Sequence, residues 1–258
     1  MHYLIRYGEI GLKGKNRPFF ERKLIDNIKK QVSDKTAKIT KTRGRVIVET
    51  DKDISEELRY VSGIVSFSQA VKISISDIND KVIDLIKDKE FESFRITVNR
   101  VNKDIDVNSN KLAADTGALV VEKMEKKVDL ENFDINISIE LIDDAYIFFE
   151  KDEGLGGLPV STEGKVIVFI ETEKGIEAAK KVMKRGCDVI PVSLDEIDIS
   201  EINKYSPNRK ELIMIKNIGE INGIAKERDA RAVVVEDSLE ELKDYDLTIP
   251  VLRPLVFG

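Results

Sequence analysis

The sequence has little with which to do redox or metal chemistry. Its 258 residues include one cysteine, Cys187, one histidine, His2, and no tryptophan. One thiol cannot close a disulfide within the chain, and one thiol with one imidazole falls short of the ligands of a structural zinc site, so no metal is expected. Aromatic residues make up 6% of the chain, too few for a broad base-stacking platform. No apolar run is long enough to span a bilayer, and the opening MHYLIRYGEI lacks the apolar core of a signal peptide. The expected location is the cytoplasm, with no membrane partner. What is present, 41% hydrophobic and 35% charged residues, fits a soluble globular protein with a strongly charged surface, and the length suffices for two or three small domains.

The net charge is −6, which taken whole argues against a nucleic-acid binder. The distribution argues otherwise. Residues 1–50 hold 13 Lys and Arg against 5 Asp and Glu, a local net of +8, so the remainder carries −14. A basic end on an acidic chain reads as a localised polyanion-binding surface.

Periodicity divides the chain into three modules. Residues 2–7 read as a strand, followed by a turn-rich link, and a helix begins after Asn16, a good N-cap, with Pro18 in its first turn and Phe20, Leu24, Ile25 and Ile28 along one stripe. Residues 37–41 and 45–49 alternate around Arg43-Gly44 as a hairpin, and a short helix near 54–60 and a strand near 65–72 complete a small ferredoxin-like α+β unit over 1–75. A second α+β module follows, with helices over 77–87 and 109–126 and strands over 94–101, 134–142 and 145–150. Gly117 in mid-helix costs about 1 kcal/mol relative to alanine, which close packing or close approach of a ligand would explain. A Gly-rich linker, 151–164, is grouped with this module as 76–164. The third module, 165–258, alternates strands near 166–170, 187–192, 211–215, 231–235 and 248–252 with helices, the pattern of a Rossmann-like parallel α/β sheet. The fold class is therefore α+β followed by α/β. The acidic stretch Asp195–Glu201 reads as a solvated loop.

The most informative stretch runs from Gly154 to Ser193. Val166–Ile170 (VIVFI) is an unbroken apolar run, as expected of a strand buried on both faces. A helix with Ile176, Ala179, Val182 and Met183 on one face follows, ending at Lys184, Arg185 and Gly186. A second strand begins at Cys187, whose thiol is expected to be buried and structural. This is a βαβ unit with a right-handed crossover.

Gly156-Gly157-Leu158-Pro159, Gly164-Lys165-Val166 and Met183-Lys184-Arg185-Gly186 resemble phrases of the tRNA 4-thiouridine synthase family, as do residues 6–24 (RYGEIGLKGKNRPFFERKL), 94–100 (FRITVNR) and 250–255 (PVLRPL). The resemblance implies a THUMP module, which recognises tRNA, and an adenine-nucleotide α-hydrolase-like third domain. The family's pyrophosphate loop, S-G-G-x-D-S, does not match. Counted from the helix end, within about one place, its positions hold Ile170, Glu171, Thr172, Glu173, Lys174 and Gly175. A loop that cradles pyrophosphate needs bare backbone N–H groups at the positive end of the following helix. Glu171 and Thr172 stand where the two glycines belong. Like charges ~4 Å apart repel by roughly 1 kcal/mol in water and about 4 kcal/mol near a protein surface, so Glu171 and Glu173 oppose a phosphate, whereas Thr172 can cap the helix. The family's second motif, T-G-E-S-L-G-Q, is matched by Val235-Glu236-Asp237-Ser238-Leu239-Glu240-Glu241, again with acids for glycines, and no cysteine follows Cys187 for the family's persulfide chemistry. The expectation is a degenerate member, without catalytic residues, that binds tRNA and does not bind the ATP the family uses. The resemblance also implies a homodimer. The alternative is a tRNA sulfurtransferase component in 4-thiouridine or thiamine thiazole biosynthesis, with a partner supplying ATP and persulfide chemistry. A third possibility is an interaction scaffold with no RNA role.

The candidate RNA-binding residues are Lys13, Lys15 and Arg17 beside the first helix, Arg43 and Arg45 at the hairpin, and Arg95, Arg100, Lys103 and Lys111 on or next to the THUMP-like strand and its adjoining helix. Each also has a plainer reading as a solvated surface charge. Tyr7, Phe19 and Phe20 are candidate stacking partners, though aromatics at helical spacing also serve as core.

Overall fold

The computed structural model describes residues 1–256; Phe257 and Gly258, the last two residues of the expected third module, lie outside the described residues. In chain order the elements are β1 (His2–Arg6), α1 (Arg17–Gln31), β2 (Lys38–Thr42), β3 (Arg45–Glu49), α2 (Ser55–Arg59), β4 (Ser66–Ile73), α3 (Ile78–Ile86), β5 (Ser93–Arg100), α4 (Ser109–Met124), β6 (Lys127–Val128), β7 (Ile135–Leu141), β8 (Ala145–Phe148) and β9 (Asp152–Glu153). They continue with β10 (Lys165–Phe169), α5 (Glu173–Lys184), β11 (Asp188–Ser193), α6 (Ser200–Tyr205), β12 (Ile213–Met214), α7 (Glu220–Arg228), β13 (Ala230–Val234) and β14 (Val251–Leu252). The chain forms two compact units, one of residues 1–6, 36–52 and 66–152, the other of 7–35, 53–65 and 153 onward.

The first unit is built on a sheet whose strands run in the order β2-β3-β1-β4-β8-β7-β5-β6. β5 is parallel to β6 and β7, and the other pairs on this path are antiparallel. Period-2 alternation separates its faces. Phe94, Ile96 and Val98 of β5 and Ile137, Ile139 and Leu141 of β7 join Val82, Ile86 and Val120 of α3 and α4 in one apolar core. Arg95, Thr97 and Asn99, in register with Asn136, Ser138 and Glu140, occupy the opposite face. The expected hairpin closes through Arg43-Gly44, where Gly44 takes a positive φ of 72°.

Gly117 is buried in α4, but a methyl group there would meet only Ile96 Cγ1, at 3.8 Å. Packing therefore does not require glycine. Replacing Gly117 with alanine should stabilise the protein by about 0.5–1 kcal/mol, because the chain loses less backbone entropy on folding. Thermal denaturation checks the sign, and a loss of stability would mean that the helix has no room for the methyl.

The second unit carries a fully parallel sheet in the order β12-β11-β10-β13-β14. As its unbroken apolar run predicts, β10 is buried on both faces. Val166, Val168 and Ile170 pack with Ala178, Ala179, Val182 and Met183 of α5 and Ile202 of α6, whereas Ile167 and Phe169 pack with Ile221 and Ala225 of α7. The Gly-rich linker is a fixed structure. Leu158 N–H donates to Lys184 O at 2.9 Å, and Thr162 and Glu163 N–H both donate to Gly186 O. The GGLP and MKRG phrases thus meet, and the linker satisfies carbonyls at the C-terminal end of α5 that would otherwise lack donors.

Two expectations are corrected. Asn16 precedes α1, but its side chain makes no capping hydrogen bond. Two short 3₁₀ turns, Glu9–Leu12 and Gly14–Asn16, run directly into the helix, so residue 16 already has helical dihedrals rather than the extended ones that side-chain capping needs. Asp195–Glu201 is not wholly a solvated loop. Ile199 is buried against the α5 core with Ile197 beside it, and both Asp198 carboxylate oxygens accept from Ser200 at the start of α6.

Candidate functional site

Parallel α/β sheets bind ligands beyond the carboxyl ends of neighbouring strands whose connections leave in opposite directions. Here those strands are β10, whose chain continues toward β11, and β13, whose chain continues toward β14. The two segments leaving them are the two stretches singled out in the sequence, Glu171–Gly175 and Val235–Glu241. They meet through one side chain. Glu236, 9% exposed, points its carboxylate at the start of α5. Glu171 N–H and Thr172 N–H donate to its Oε2 at 3.1 and 2.9 Å, and Thr172 Oγ1 donates to Oε1 at 2.8 Å. Thr172 also caps α5, its hydroxyl oxygen accepting from Lys174 N–H at 3.1 Å.

These donors are of the type that holds an anion at a helix N-terminus. A carboxylate of the chain itself takes them. A Cβ at Gly175 would stand 2.7 Å from Glu236 Oε2 and 2.9 Å from the Ile170 Cα, so the remaining glycine of the loop is needed to admit the carboxylate. Around this contact, Glu171 pairs with Lys243 at 2.8 Å and Lys174 with Glu241 at 3.5 Å. A triphosphate at this point would have to displace a buried carboxylate while approaching Glu171 and Glu173.

Asp237, 3% exposed, holds the segment after β13 in place. It accepts from Tyr245 OH at 2.7 Å, Lys243 N–H at 3.0 Å and Arg253 Nε at 2.9 Å. Burial alone would raise its pKa, but the three donors outweigh burial and hold it below the usual carboxylate range. A depressed folded pKa gives stabilisation that is complete above the unfolded value and is lost as pH falls through the folded one. Asp237→Asn should therefore lower stability at neutral pH by about 1–3 kcal/mol and flatten the acid limb of the stability–pH curve. An unchanged acid limb would show that other carboxylates set it.

The basic candidates fall into two sets by unit. In the second unit, Lys13 lies over the Phe20 ring at 4.6 Å and 3.8 Å from Glu163. Arg17 Nε bonds Glu21 at 2.7 Å, and Lys15 is exposed. The Tyr7 hydroxyl donates to the same Glu21, and burial with that bond raises its pKa to about 12. Tyr7 and Arg17 are thus engaged with Glu21. Phe19 is 44% exposed and Phe20 is buried. In the first unit, Arg45 Nε reaches Glu140 at 2.9 Å, beside Arg6, whose Nε bonds the same carboxylate at 2.9 Å. Arg43 pairs with Asp104 at 2.6 Å. Arg95 lies 4.2 Å from the Phe133 ring, and Arg100 donates to the Ile105 and Val107 carbonyls. Lys103 and Lys111 are exposed. On the polar sheet face, Arg6, Thr97, Asn99, Asn136, Ser138 and Phe148 line a cavity of about 240 Å³. Charge counting pointed to the basic residues; this cavity, assembled from four strands, has no local sequence signal. Among the described residues, no cluster of His, Cys, Asp or Glu could hold a metal ion, and no helix is long and apolar enough to cross a membrane.

Two family models match this architecture: the ThiI ferredoxin-like domain over residues 2–68 and the THUMP domain over residues 72–150. A probable tRNA sulfurtransferase of Thermococcus kodakarensis is 30% identical over 318 aligned positions, covering 98% of this chain and 83% of the relative. The chain belongs to the tRNA sulfurtransferase family. A probable tRNA sulfurtransferase of Thermoanaerobacter sp. (strain X514) is 40% identical over 196 residues, covering 72% of this chain and 51% of the relative, so the chain spans about half the length of that and similar curated relatives. The crystal structure of PH1313 from Pyrococcus horikoshii Ot3 superposes with a TM-score of 0.89 at 29% identity, covering 99% of this chain and 94% of the other. A 4-thiouridine synthetase crystallised with RNA and bound ATP shares the fold, with a TM-score of 0.79 at 23% identity, covering 98% of this chain and 80% of the other.

Proposed function

We propose that this chain is a tRNA-binding member of its family, organised as modules 1–75, 76–164 and 165–258, in which the first two hold tRNA and the third neither binds nor hydrolyses ATP. The observation that carries this reading is the Glu236 carboxylate on the Glu171 and Thr172 N–H groups. The acid that replaces a glycine of the second motif occupies the donors of the first. Support for the RNA half comes from the THUMP match, from relatives named for action on tRNA and from the +8 charge of residues 1–50.

Among the nine candidate cations, Lys15, Lys103 and Lys111 are exposed and have no carboxylate partner among the described residues. They are the side chains most available to phosphate. Changing any one of them to alanine should weaken tRNA binding and reduce the slope of log K against log salt by about 0.7–0.9. The same change at Arg45, already bonded to Glu140, should leave that slope nearly unaltered. The test is filter binding of tRNA across a salt series, with calorimetric titration of Mg-ATP alongside. Saturable tRNA binding without ATP binding is expected. Micromolar ATP binding would favour a sulfurtransferase component, and tRNA affinity no higher than that for random duplex would remove the RNA role.

A further inference from the structure

We infer that the carboxyl end of the second unit's parallel sheet is a docking face for a cationic, amphipathic helix of a partner protein. Twelve large apolar residues are exposed among the described residues, and five of them fall at this one end. Met214 ends β12, Leu194 follows β11, Leu239 and Leu242 lie in the segment after β13, and Leu252 ends β14. They are 40–64% exposed, and none joins either core of the unit. Exposed apolar residues scattered singly carry no meaning, but a row of them marks a contact surface. Four strand spacings separate β12 from β14. At about 4.8 Å each the row is about 19 Å long, the length of a helix of about 13 residues.

Charge selects the partner. In the segments leaving these strands and β10, Glu173, Asp195, Glu196, Glu240 and Asp244 are exposed and form no ion pair among the described residues. Lys174, Lys243 and Arg253 are paired with Glu241, Glu171 and Asp237. That leaves Lys216 as the one cation there without an acidic partner among the described residues. Glu173 also lines a cavity of about 640 Å³ with Ile176, Ile197, Glu177, Asp198 and Glu201. The lysines of that cavity, Lys174 and Lys180, are paired with Glu241 and Glu201. Apolar contacts framed by unpaired acids suit leucine-type side chains flanked by Lys or Arg. The same field repels RNA and a second copy of this face. The contact does not depend on whether the chain holds tRNA.

Fluorescence anisotropy on the full chain tests this with a labelled helical peptide of about 14 residues, leucines on one face and lysines on the other. A scrambled peptide of equal composition and a leucine–glutamate peptide are the controls. Native protein should bind the leucine–lysine peptide saturably, one to one, and at least about 10-fold more tightly than either control. Leu239→Ser with Leu242→Ser should weaken that binding by about 10-fold or more. Asp195→Lys with Glu196→Lys should weaken it too and flatten its salt dependence, and serves if the leucine variant does not fold. The leucine variant should keep the native melting temperature and tRNA affinity, because neither side chain packs in a core. Equal affinity for the scrambled peptide, or native affinity in either folded variant, would overturn the inference. So would loss of tRNA binding in the folded leucine variant, which would give the face to RNA. A native dimer that this variant splits, read by sedimentation, would overturn it by giving the face to a second copy.

Discussion

Replacing Gly157 with alanine should destabilise the second unit by at least about 3 kcal/mol, lowering its melting temperature by about 6–12 °C. Gly157 has φ of 72°, where L-residues are strained. The larger cost is steric. A Cβ at this position would stand 2.1 Å from Lys184 O and 2.8 Å from the Lys184 side chain. The carbonyl cannot retreat freely, because it accepts the Leu158 N–H that fixes the linker on the end of α5. Gly156 is the control. Its φ is 67°, but a methyl there meets nothing within 4 Å, so Gly156→Ala should cost only about 1–2 kcal/mol. Equal losses for the two variants, measured by denaturant titration, would show that backbone conformation rather than linker packing sets the requirement for glycine.

The second large effect is expected at Glu140. Its carboxylate, 5% exposed, accepts from Arg6 Nε and Arg45 Nε at 2.9 Å each. Arg6 is itself 9% exposed, lies 4.8 Å from the Phe148 ring and donates from Nη1 to Ser68 Oγ. Burial lowers its pKa, and Glu140 opposes that shift. Glu140→Ala would leave a buried guanidinium without its counter-charge, at a cost of about 3–5 kcal/mol. Adding Arg6→Met to that variant should recover a large part of the loss, because the pair is costly to split but not to replace by apolar volume. A single-variant loss below about 1 kcal/mol, the level of an exposed pair, would mean that water substitutes for the carboxylate.

The strands were legible where burial acts through local pattern. VIVFI at 166–170 marks a strand covered on both faces, and alternation over 94–100 marks one covered on a single face. The parallel sheet followed from their alternation with helices. The acids after β10 and β13 were legible too, at positions where the family resemblance places glycines. Their conjunction was not. Glu236 lies 64 positions from Thr172, and no local pattern states that a side chain from one strand end will turn onto the backbone of another. The same distance effect separates charge from availability. Arg45 and Arg17 count as cations in the sequence, yet Glu140, 95 positions away from Arg45, and Glu21, one turn along α1 from Arg17, engage them. Asn16 shows the opposite failure. Its residue type suits a cap, but the 3₁₀ turn before it sets the backbone first.

Glu236 takes the donors at the start of α5, and the proposed consequence is that no nucleotide binds there. Equilibrium dialysis of the native protein against labelled Mg-ATP, with and without tRNA, tests that most directly. The predicted result is retention of tRNA with no saturable uptake of ATP at millimolar concentration in either arm. Stoichiometric ATP uptake, with nucleotide density on the Glu171 and Thr172 N–H groups and Glu236 turned away, would contradict it.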